Sequence, residues 1–289
     1  MAYVYLNGEI VGRQQAAVSP FDRGFLYGDG FFETTRIIAG APLLLARHLE
    51  RLACSCRQTG FGVVPDPAEL KRAVRAVIEA NGVTEGYLRI SISRGLHEGR
   101  LTELESRRAT VLVEGRPMDL PPLGATPPMT LARSRYRRNE DSPVVRHKTL
   151  SYQGNLLALA EGRRGGADEV FFLNARDELT EGAITNLFFI HEGTVHTPDV
   201  ACGLLPGITR QVVLELCRAL PVPVEVGRYC LADLMDADEV FCTNSLRGVV
   251  PVREVLDCPS LELGAETTSQ LRLAYAEFAA RSPGEEAPD

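Results

Sequence analysis

The feature of this sequence that most constrains its fold is the proline-rich stretch GRPMDLPPLGATPPM, residues 115–129, which contains five prolines. Proline fixes φ and donates no backbone hydrogen bond, so neither a helix nor a central strand runs easily through such a stretch. The segment therefore divides the 289 residues into two parts. We expect a small N-terminal domain over residues 1–118, an interdomain linker over 119–128 and a larger C-terminal domain over 129–289.

Both parts mix short strands with amphipathic helices, which predicts a mixed α/β (α+β) fold. In the first part, Asn7-Gly8 separates two short strands and is a strong hairpin signal. Strands are expected there at 3–6, 10–12, 31–38, 87–93 and 110–114, and helices at 47–59 and 67–80. In the second part, strands are expected at 130–134, 169–173, 184–190, 222–226 and 239–243, and helices at 149–164, 207–219 and 261–280. The last residues, RSPGEEAPD, are expected to be disordered.

Charge and composition exclude several function classes. The formal net charge of -7 argues against a general nucleic-acid surface. No apolar run reaches membrane-spanning length, and MAYVYLNGEIVGR has a strand–turn–strand pattern instead of that of a signal peptide. The seven cysteines are scattered and the five histidines form no ligand-like cluster, so we expect reduced thiols, a cytoplasmic location and no metal site.

The rarest charged residue in the chain is lysine. Of 31 basic residues only Lys71 and Lys148 are lysines. Arginine does not lose its proton in a protein, whereas a lysine amine can be tuned to act as a nucleophile or a base. Lys71 lies on the polar face of an expected helix, which is an ordinary surface position. Lys148, in VVRHKTLSYQGN, is expected near the start of the 149–164 helix. Its scarcity alone supports a reactive lysine and an incidental surface lysine equally, so the surrounding residues must distinguish the two interpretations.

Three further segments are each common by themselves. In LLPGITR, Gly207 precedes a helix whose first N–H groups, those of Ile208 and Thr209, can bind an anion. In FCTNSLRG, a strand ends in three small polar residues, Thr243 to Ser245. In ELTEGAITNLFFI, Glu181 is expected in a tight turn before an apolar strand. Together these segments match pyridoxal phosphate, which needs a lysine, an anion cradle and a carboxylate facing its ring nitrogen.

With these motifs in order, the sequence resembles the class IV, fold-type IV pyridoxal phosphate enzymes. That family includes branched-chain aminotransferases, D-amino acid aminotransferases and 4-amino-4-deoxychorismate lyases. The resemblance extends from DRGFLYGDGFFETTRI to TNSLRGVVPV, nearly the whole chain. It implies pyridoxal 5'-phosphate as cofactor, a small N-terminal α/β domain, a larger C-terminal domain with a mixed sheet or barrel, and a homodimer.

The resemblance also assigns roles to residues of the cofactor site. It implies that Lys148 binds the cofactor covalently and that Glu181 faces the ring nitrogen. Leu205 is similar to the apolar residue that packs on one face of the ring, and Tyr152 to a tyrosine near the phenolic oxygen, although its spacing from the lysine differs by one from the branched-chain enzymes. The residues implied to bind the phosphate are Arg51, in RHLERL, with Ile208, Thr209 and Ser245.

Substrate residues are predicted from the same resemblance and from strand alternation. Phe32 fits the branched-chain enzymes and the lyases, whereas the best-known D-amino acid enzymes carry tyrosine there. A threonine at the position of Thr34 is similar to the residue of the lyases, whose hydroxyl near the cofactor is implied to help proton transfer. Arg89 shares a strand face with Ser91 and Ser93 and can bind a carboxylate in a bidentate manner, while Arg94 is expected on the other face as a solvated charge. Asn244 and Arg247, beside the phosphate turn, complete the predicted substrate set.

The substrate residues suit both kinds of enzyme, and the resemblance favours an aminotransferase, because transamination is the commoner activity in the family. Such an enzyme moves an amino group between a D- or L-amino acid and a keto acid such as 2-oxoglutarate or pyruvate. The alternative is a 4-amino-4-deoxychorismate lyase that releases pyruvate and 4-aminobenzoate. A binding protein on an inactive scaffold is disfavoured, because every cofactor position carries a suitable residue. The expected partners are small amino acids and keto acids, with no nucleic acid and no membrane.

Overall fold

The computed structural model describes residues 2–62, 64–96, 99–102, 108–256 and 263–282. The chain forms two compact units. The first comprises Met1–Leu120 and His147–Tyr152, together with Ser282 of the described C-terminal residues; the second comprises Pro121–Arg146 and Gln153–Arg281. The domain division predicted at residues 119–128 stays a prediction. It would place Lys148 in the C-terminal domain, whereas the segment His147–Tyr152, which carries Lys148, groups with the first unit.

A six-stranded sheet forms the first unit, with strand order β2-β1-β6-β5-β3-β4. Its strands are β1 (Tyr3–Leu6), β2 (Glu9–Gly12), β3 (Gly30–Ile38), β4 (Ala41–Pro42), β5 (Gly86–Ser93) and β6 (Thr110–Pro117). The predicted hairpin at Asn7-Gly8 is confirmed: both residues have positive φ, 51° and 109°, and β1 pairs with β2.

Three helices accompany this sheet: α1 (Arg23–Tyr27), α2 (Leu45–Gln58) and α3 (Pro67–Asn81). Asp66 caps α3 by accepting a hydrogen bond from the N–H of Ala68, as its position before Pro67 predicts. Alternate residues of β5, among them Leu88 and Ile90, enter the hydrophobic core together with residues of α2 and α3. The other face of the sheet is thereby left for the alternate residues of β5, among them Arg89 and Ser91.

The second unit is built on an eight-stranded sheet of order β12-β11-β10-β13-β14-β7-β8-β9, in which β9 also pairs with β10. This extra pairing closes six of the strands into a barrel-like ring. The strands are β7 (Met129–Arg138), β8 (Glu169–Asn174), β9 (Leu179–Gly182), β10 (Asn186–His191), β11 (Thr194–Pro198), β12 (Val224–Gly227), β13 (Glu239–Asn244) and β14 (Gly248–Val255). The helices are α4 (Gln153–Arg164), α5 (Ile208–Ala219), α6 (Leu231–Met235) and α7 (Glu266–Arg281).

Two sequence-based expectations about local structure are wrong. The helix expected from 149 begins at Gln153, because residues 148–150 are hydrogen-bonded to β3 and cannot also be helical. Glu181 lies in strand β9 and not in a tight turn, because β9 is hydrogen-bonded between β8 and β10. The tail predicted to be disordered lies, beyond Ser282, outside the described residues.

Within the described ranges, no helix has both the length and the apolar character needed to cross a membrane. The same residues contain no cluster of three or more His, Cys, Asp or Glu side chains placed to hold a metal ion. The six described cysteines are all unpaired, and four of them are buried: Cys56, Cys202, Cys217 and Cys242.

Candidate active site

Lys148 is held against β3 by its own backbone. The N–H of Phe32 donates to the carbonyl of Lys148 at 2.8 Å, and the N–H of Leu150 donates to the carbonyl of Gly30 at 2.9 Å. A side chain on Gly30 would overlap the carbonyl of Ile92, so only glycine allows this close approach of strands. The lysine is therefore fixed on a strand-like segment and not on the first turn of a helix.

Three of the side chains predicted to contact cofactor or substrate gather around Phe32, which is 5% exposed. The Lys148 Nζ lies 4.5 Å from the centroid of the Phe32 ring, and the Arg89 Cζ lies 3.9 Å from it. Tyr152 packs edge-on against the same ring with centroids 5.2 Å apart. Cations are attracted to the face of an aromatic ring, so Phe32 provides a platform for both charged groups. We call Phe32, Arg89, Lys148 and Tyr152 the Phe32 cluster.

Arg89 points to the polar face of the sheet, as strand alternation predicts. Its Nε donates to the Ser91 Oγ at 3.1 Å, and its Cα is paired with that of Thr34 on β3, so the half-buried Thr34 shares this face. Burial lowers the pKa of the Arg89 guanidinium, against the opposing effect of Tyr87 and Glu114. A partly desolvated guanidinium in this position is suited to bind a carboxylate.

Arg94 corrects a sequence-based expectation, since it is buried and not solvated. Its Nε pairs with Asp29 Oδ2 at 2.8 Å, its Nη1 donates to the carbonyl of Gly60 at 2.7 Å, and its Cζ lies 4.3 Å from the Phe61 ring centroid. The residue follows the end of β5, where alternation no longer decides which way a side chain points. Arg94 is therefore part of the structural core of the first unit.

Arg51 lies on α2 and contacts Glu33, the residue that follows Phe32 on β3. Its Nε and Nη2 contact the two carboxylate oxygens of Glu33 at 2.8 and 2.6 Å, and the His48 Nδ1 contacts Glu33 Oε2 at 2.7 Å. Burial raises the pKa of the Glu33 carboxyl, but the charge of Arg51 and the hydrogen bond to His48 outweigh it and lower that pKa to about 2. Glu33 thereby orients Arg51. Sequence reasoning missed Glu33, although the three-residue spacing of His48 and Arg51 puts both on one helix face.

In the second unit, the buried Glu181 carboxylate contacts three donors. Arg138 Nη2 lies 3.1 Å from Oε1, the N–H of Leu205 donates to Oε2 at 3.1 Å, and the Asn186 Nδ2 donates to Oε2 at 3.4 Å. The same Asn186 Nδ2 donates to the carbonyl of Leu205 at 2.9 Å. The structure thus brings the predicted pair Glu181 and Leu205 together, and adds Arg138 and Asn186, which sequence reasoning missed.

An anion cradle lies at the N-terminus of α5. Gly207 is its N-cap, and the first N–H groups of the helix, including those of Ile208 and Thr209, have no intrahelical acceptor. The Thr209 Oγ1 is buried and makes no hydrogen bond among the described residues, and the same is true of the Thr243 Oγ1 on β13. A side chain at Gly207 would overlap the Asn186 Oδ1. Buried donors without acceptors are what a bound phosphate would satisfy.

The turn after β13 is held by Asn244. Its Oδ1 accepts hydrogen bonds from the N–H groups of Leu246 and Arg247 at 3.1 and 2.9 Å. The Arg247 carbonyl in turn accepts from the Thr126 Oγ1 at 3.0 Å. The Asn244 carboxamide oxygen therefore shapes the turn that carries the half-buried Ser245 and Arg247, so a positioning role suits Asn244 better than direct substrate contact.

The chain matches the model of the family described as Amino-transferase class IV over residues 30–255. It is 30% identical over 277 residues to an aminodeoxychorismate lyase from Bacillus subtilis, with 94% of this chain and 93% of the relative covered. It is 27% identical over 267 residues to a D-alanine aminotransferase from Listeria monocytogenes, with 87% of each covered.

A solved structure shows the same fold. The T.th. branched-chain amino acid aminotransferase with pyridoxamine 5'-phosphate superposes with a TM-score of 0.88 and 26% identity, covering 99% of this chain and 96% of that chain. The relatives and this structure therefore include both aminotransferases and a lyase.

Proposed function

Because this chain belongs to the class IV aminotransferase family, we propose that it is an aminotransferase that moves an amino group between an amino acid and a keto acid such as 2-oxoglutarate or pyruvate. The cofactor of the family is pyridoxal 5'-phosphate. The observation that carries the proposal is the Phe32 cluster, which holds a lysine amine and a guanidinium within 4.5 Å of one aromatic ring centroid.

Each unit contains groups of the kind that this cofactor needs. In the second unit, the unpaired hydroxyl of Thr209, the N–H groups of Ile208 and Thr209 and the half-buried Ser245 suit the phosphate. Glu181, held by three donors, suits the ring nitrogen, and Leu205 suits one ring face. In the first unit, Lys148 suits the covalent bond, Tyr152 the phenolic oxygen, and Arg51 a further phosphate contact.

When bound, pyridoxal phosphate supplies the sink for negative charge that develops at the α-carbon of the substrate. The Lys148 amine accepts the proton from that carbon as a base and later donates it as an acid, a role that no arginine can fill. Glu181 stabilises the positive charge of a protonated ring nitrogen by a charge-assisted hydrogen bond. Arg89 binds the substrate carboxylate and so orients the α-carbon next to the Lys148 amine.

One observation favours the second candidate, a 4-amino-4-deoxychorismate lyase. Thr34 places a half-buried hydroxyl on the strand face that Phe32 and Arg89 share, and its Cα is paired with that of Arg89. A hydroxyl there can help move a proton. A threonine at this position is also the feature of the sequence that resembles the lyases. The 30% identity to the Bacillus subtilis lyase supports this reading as well. Arg89 would then bind a carboxylate of the substrate, and Arg247 is a guanidinium of the same kind.

A spectrum distinguishes the two functions. The protein loaded with cofactor is mixed singly with D-glutamate, D-alanine, L-glutamate or L-leucine, without any keto acid. For an aminotransferase, at least one amino acid bleaches the visible absorption band, and 2-oxoglutarate or pyruvate restores it. If no amino acid bleaches the band within minutes, while aminodeoxychorismate yields pyruvate with the band retained, the lyase replaces the aminotransferase.

A homodimer is part of the proposal. The segment around α1 exposes an aromatic patch, which we define as Phe21, Phe25, Leu26 and Tyr27; Phe25 is 76% exposed. Exposed apolar side chains that adjoin one another are typical of surfaces that bind another protein. The Asp29 carboxylate, which accepts from Arg23 and Arg94 at 2.8 Å each, fixes the segment that carries the patch. A cytoplasmic location, expected from the reduced thiols, stays a prediction.

A further inference from the structure

The Glu181 carboxylate forms an ion pair with the Arg138 guanidinium. Its Nη2 lies 3.1 Å from Glu181 Oε1. The two residues lie on β7 and β9, on either side of β8, and the guanidinium crosses β8 with its Cζ 4.3 Å from the Phe172 ring centroid. The contact therefore spans the intervening strand β8 and does not follow from sequence proximity.

Arg138 is itself fixed in place. Its Nη1 donates to Asn155 Oδ1 at 3.1 Å, and Asn155 Nδ2 donates to the carbonyl of Ala183 at 2.6 Å. The Arg138 side chain is 19% exposed and that of Glu181 is 10% exposed, so water screens the pair only weakly. A fixed guanidinium beside a poorly solvated carboxylate stabilises the ionised form of the acid.

Two other carboxylates near β9, those of Glu169 and Glu178, contact groups other than Arg138. Glu169, beside Gly182, is held by the N–H groups of Val170, Ala183 and Ile184 and by the Thr185 hydroxyl. Glu178, at the start of β9, is paired with Arg228 at 2.9 Å and with Asn174. Asn186 and the Leu205 N–H, which also donate to Glu181, are neutral.

We propose that Arg138 is a positioning residue that keeps the Glu181 carboxylate ionised, so that the proton shared by Glu181 and the cofactor's ring nitrogen stays on the nitrogen. This inference rests on the proposed function, in which Glu181 faces that nitrogen. A carboxylate without Arg138 would bind the proton more tightly and take it from the ring. The ring would then lose the positive charge that stabilises the developing negative charge at the substrate carbon.

The direct test is the protonation of the ring nitrogen, measured by NMR on protein loaded with pyridoxal phosphate whose ring nitrogen is isotopically labelled. The wild-type protein should show the resonance of a protonated nitrogen at neutral pH. In Arg138→Met, which keeps the apolar stem over Phe172 and loses the charge, the resonance should move towards that of an unprotonated nitrogen. Turnover should fall by about tenfold or more with KM changed by less than about threefold, on the scale of lost electrostatic contacts in active sites.

Three further variants control for structural effects. Arg137→Met makes the same substitution at the neighbouring residue of β7, whose Nη2 contacts Asp177 instead, and should leave the resonance and turnover unchanged. Arg138→Lys retains a charge and should restore part of the wild-type resonance. Arg138→Gln keeps a donor without a charge and should behave like Arg138→Met, which keeps the test available if the methionine variant fails to fold.

A double variant shows whether Arg138 acts through Glu181. Added to Glu181→Gln, which cannot accept the proton, Arg138→Met should have no further effect on the ring-nitrogen resonance or on turnover. An unchanged resonance in folded Arg138→Met, or full additivity in the double variant, would overturn the inference. A wild-type protein that binds no pyridoxal phosphate would instead refute the proposed function.

Discussion

Phe32 connects the charged side chains of the first unit. The Lys148 Nζ, the Arg89 guanidinium and the Tyr152 ring all lie within 5.2 Å of its ring centroid. An aromatic ring attracts a cation but carries no net charge, so it forms no ion pair with either group. Phe32 therefore suits the roles proposed for Lys148 as a base and for Arg89 as a carboxylate-binding residue.

Arg89 should set the binding of the substrate carboxylate. We expect Arg89→Ala to raise KM for an acidic amino acid by about tenfold or more, because a charge-assisted bidentate contact is lost. Steady-state kinetics measure the effect. Arg116→Ala is the matched control, since Arg116 is on the adjacent strand β6, half-exposed and stacked on Tyr87. Similar KM values for the two variants would mean that other groups bind the carboxylate.

Glu181 should act on the rate and not on cofactor retention. Glu181→Gln keeps the shape of the side chain and should still hold the cofactor through the phosphate cradle. The loss of its charge should slow proton removal from the substrate by about a hundredfold, on the scale of single electrostatic contacts to a reacting centre. Rapid-mixing kinetics with a deuterated substrate measure this step. Near-normal rates would mean that Glu181 serves only to hold β9.

Single residues were predictable from sequence where their chemistry is rare or their pattern local. The scarcity of lysine drew attention to Lys148, and the surrounding motifs with their family resemblance gave it a predicted role, while the face of Arg89 followed from alternation along β5. Arg94 was misjudged because it follows the end of β5, and its partner Asp29 is apparent only in three dimensions. The substrate role expected of Asn244 stays a prediction, although its Oδ1 accepts from two N–H groups of its own turn. Arg138 could not be found, because it reaches Glu181 across a strand.

At the scale of elements, β3 and α2 are joined by a buried charged group. Glu33 on β3 contacts both His48 and Arg51 on α2, and it is 2% exposed. Burial lowers the pKa of His48 from its ordinary 6.5, although the Glu33 carboxylate raises it in part, so the imidazole is neutral at neutral pH and donates to Glu33. The helix is thereby fixed in one orientation on the sheet, which holds Arg51 in place.

This arrangement predicts loss of stability in acid. The folded state resists protonation of His48, so the free energy of unfolding should fall as the pH drops below about 6.5. Glu33 adds to the loss between its ordinary pKa of 4.5 and its lowered pKa of about 2. Urea unfolding at several pH values measures the slope. His48→Gln should flatten the curve between pH 7.5 and 5.5, whereas the control His191→Gln should keep the wild-type slope; equal slopes for all three proteins would contradict this account.

Strongly periodic elements were predicted closely, and contact-dependent ones were not. The expected helix at 67–80 is α3, Pro67–Asn81, because its capping residue and its Asn-Gly stop are local signals. The start of α4 was placed four residues early, because the apolar pattern does not reveal that residues 148–150 pair with β3. Strand β9 was taken for a turn, since its four residues are ordered by the strands beside it.

At the scale of the whole molecule, the expected fold class is confirmed. The mixed α/β architecture, with a barrel-like ring in the larger unit, matches solved branched-chain aminotransferases at TM-scores of 0.88 and 0.89. The family suggested by the motifs is confirmed as well. Substrate choice was not predictable, because aminotransferases and lyases are both similar to this chain and a shared fold does not determine which substrate binds.

The aromatic patch should hold two copies of the chain together. Phe25→Ser removes the most exposed ring of the patch and should shift the protein from dimer towards monomer, because it removes apolar area from the interface. Sedimentation velocity over a range of concentrations measures the shift. Leu273→Ser is the control, since Leu273 is also exposed, at 55%, but lies on α7. A wild-type protein that sediments as a monomer would contradict the proposed dimer.

The most direct test of the central claim is to find which lysine binds pyridoxal phosphate. The chain has only two candidates, Lys71 and Lys148, so the result is unambiguous. The purified protein is reduced with borohydride, digested and analysed by mass spectrometry. We predict a single modified peptide that contains Lys148, and no labelling of Lys148→Arg, while Lys71→Arg is labelled like the wild type. A label on Lys71, or a protein that takes up no cofactor, would contradict the account.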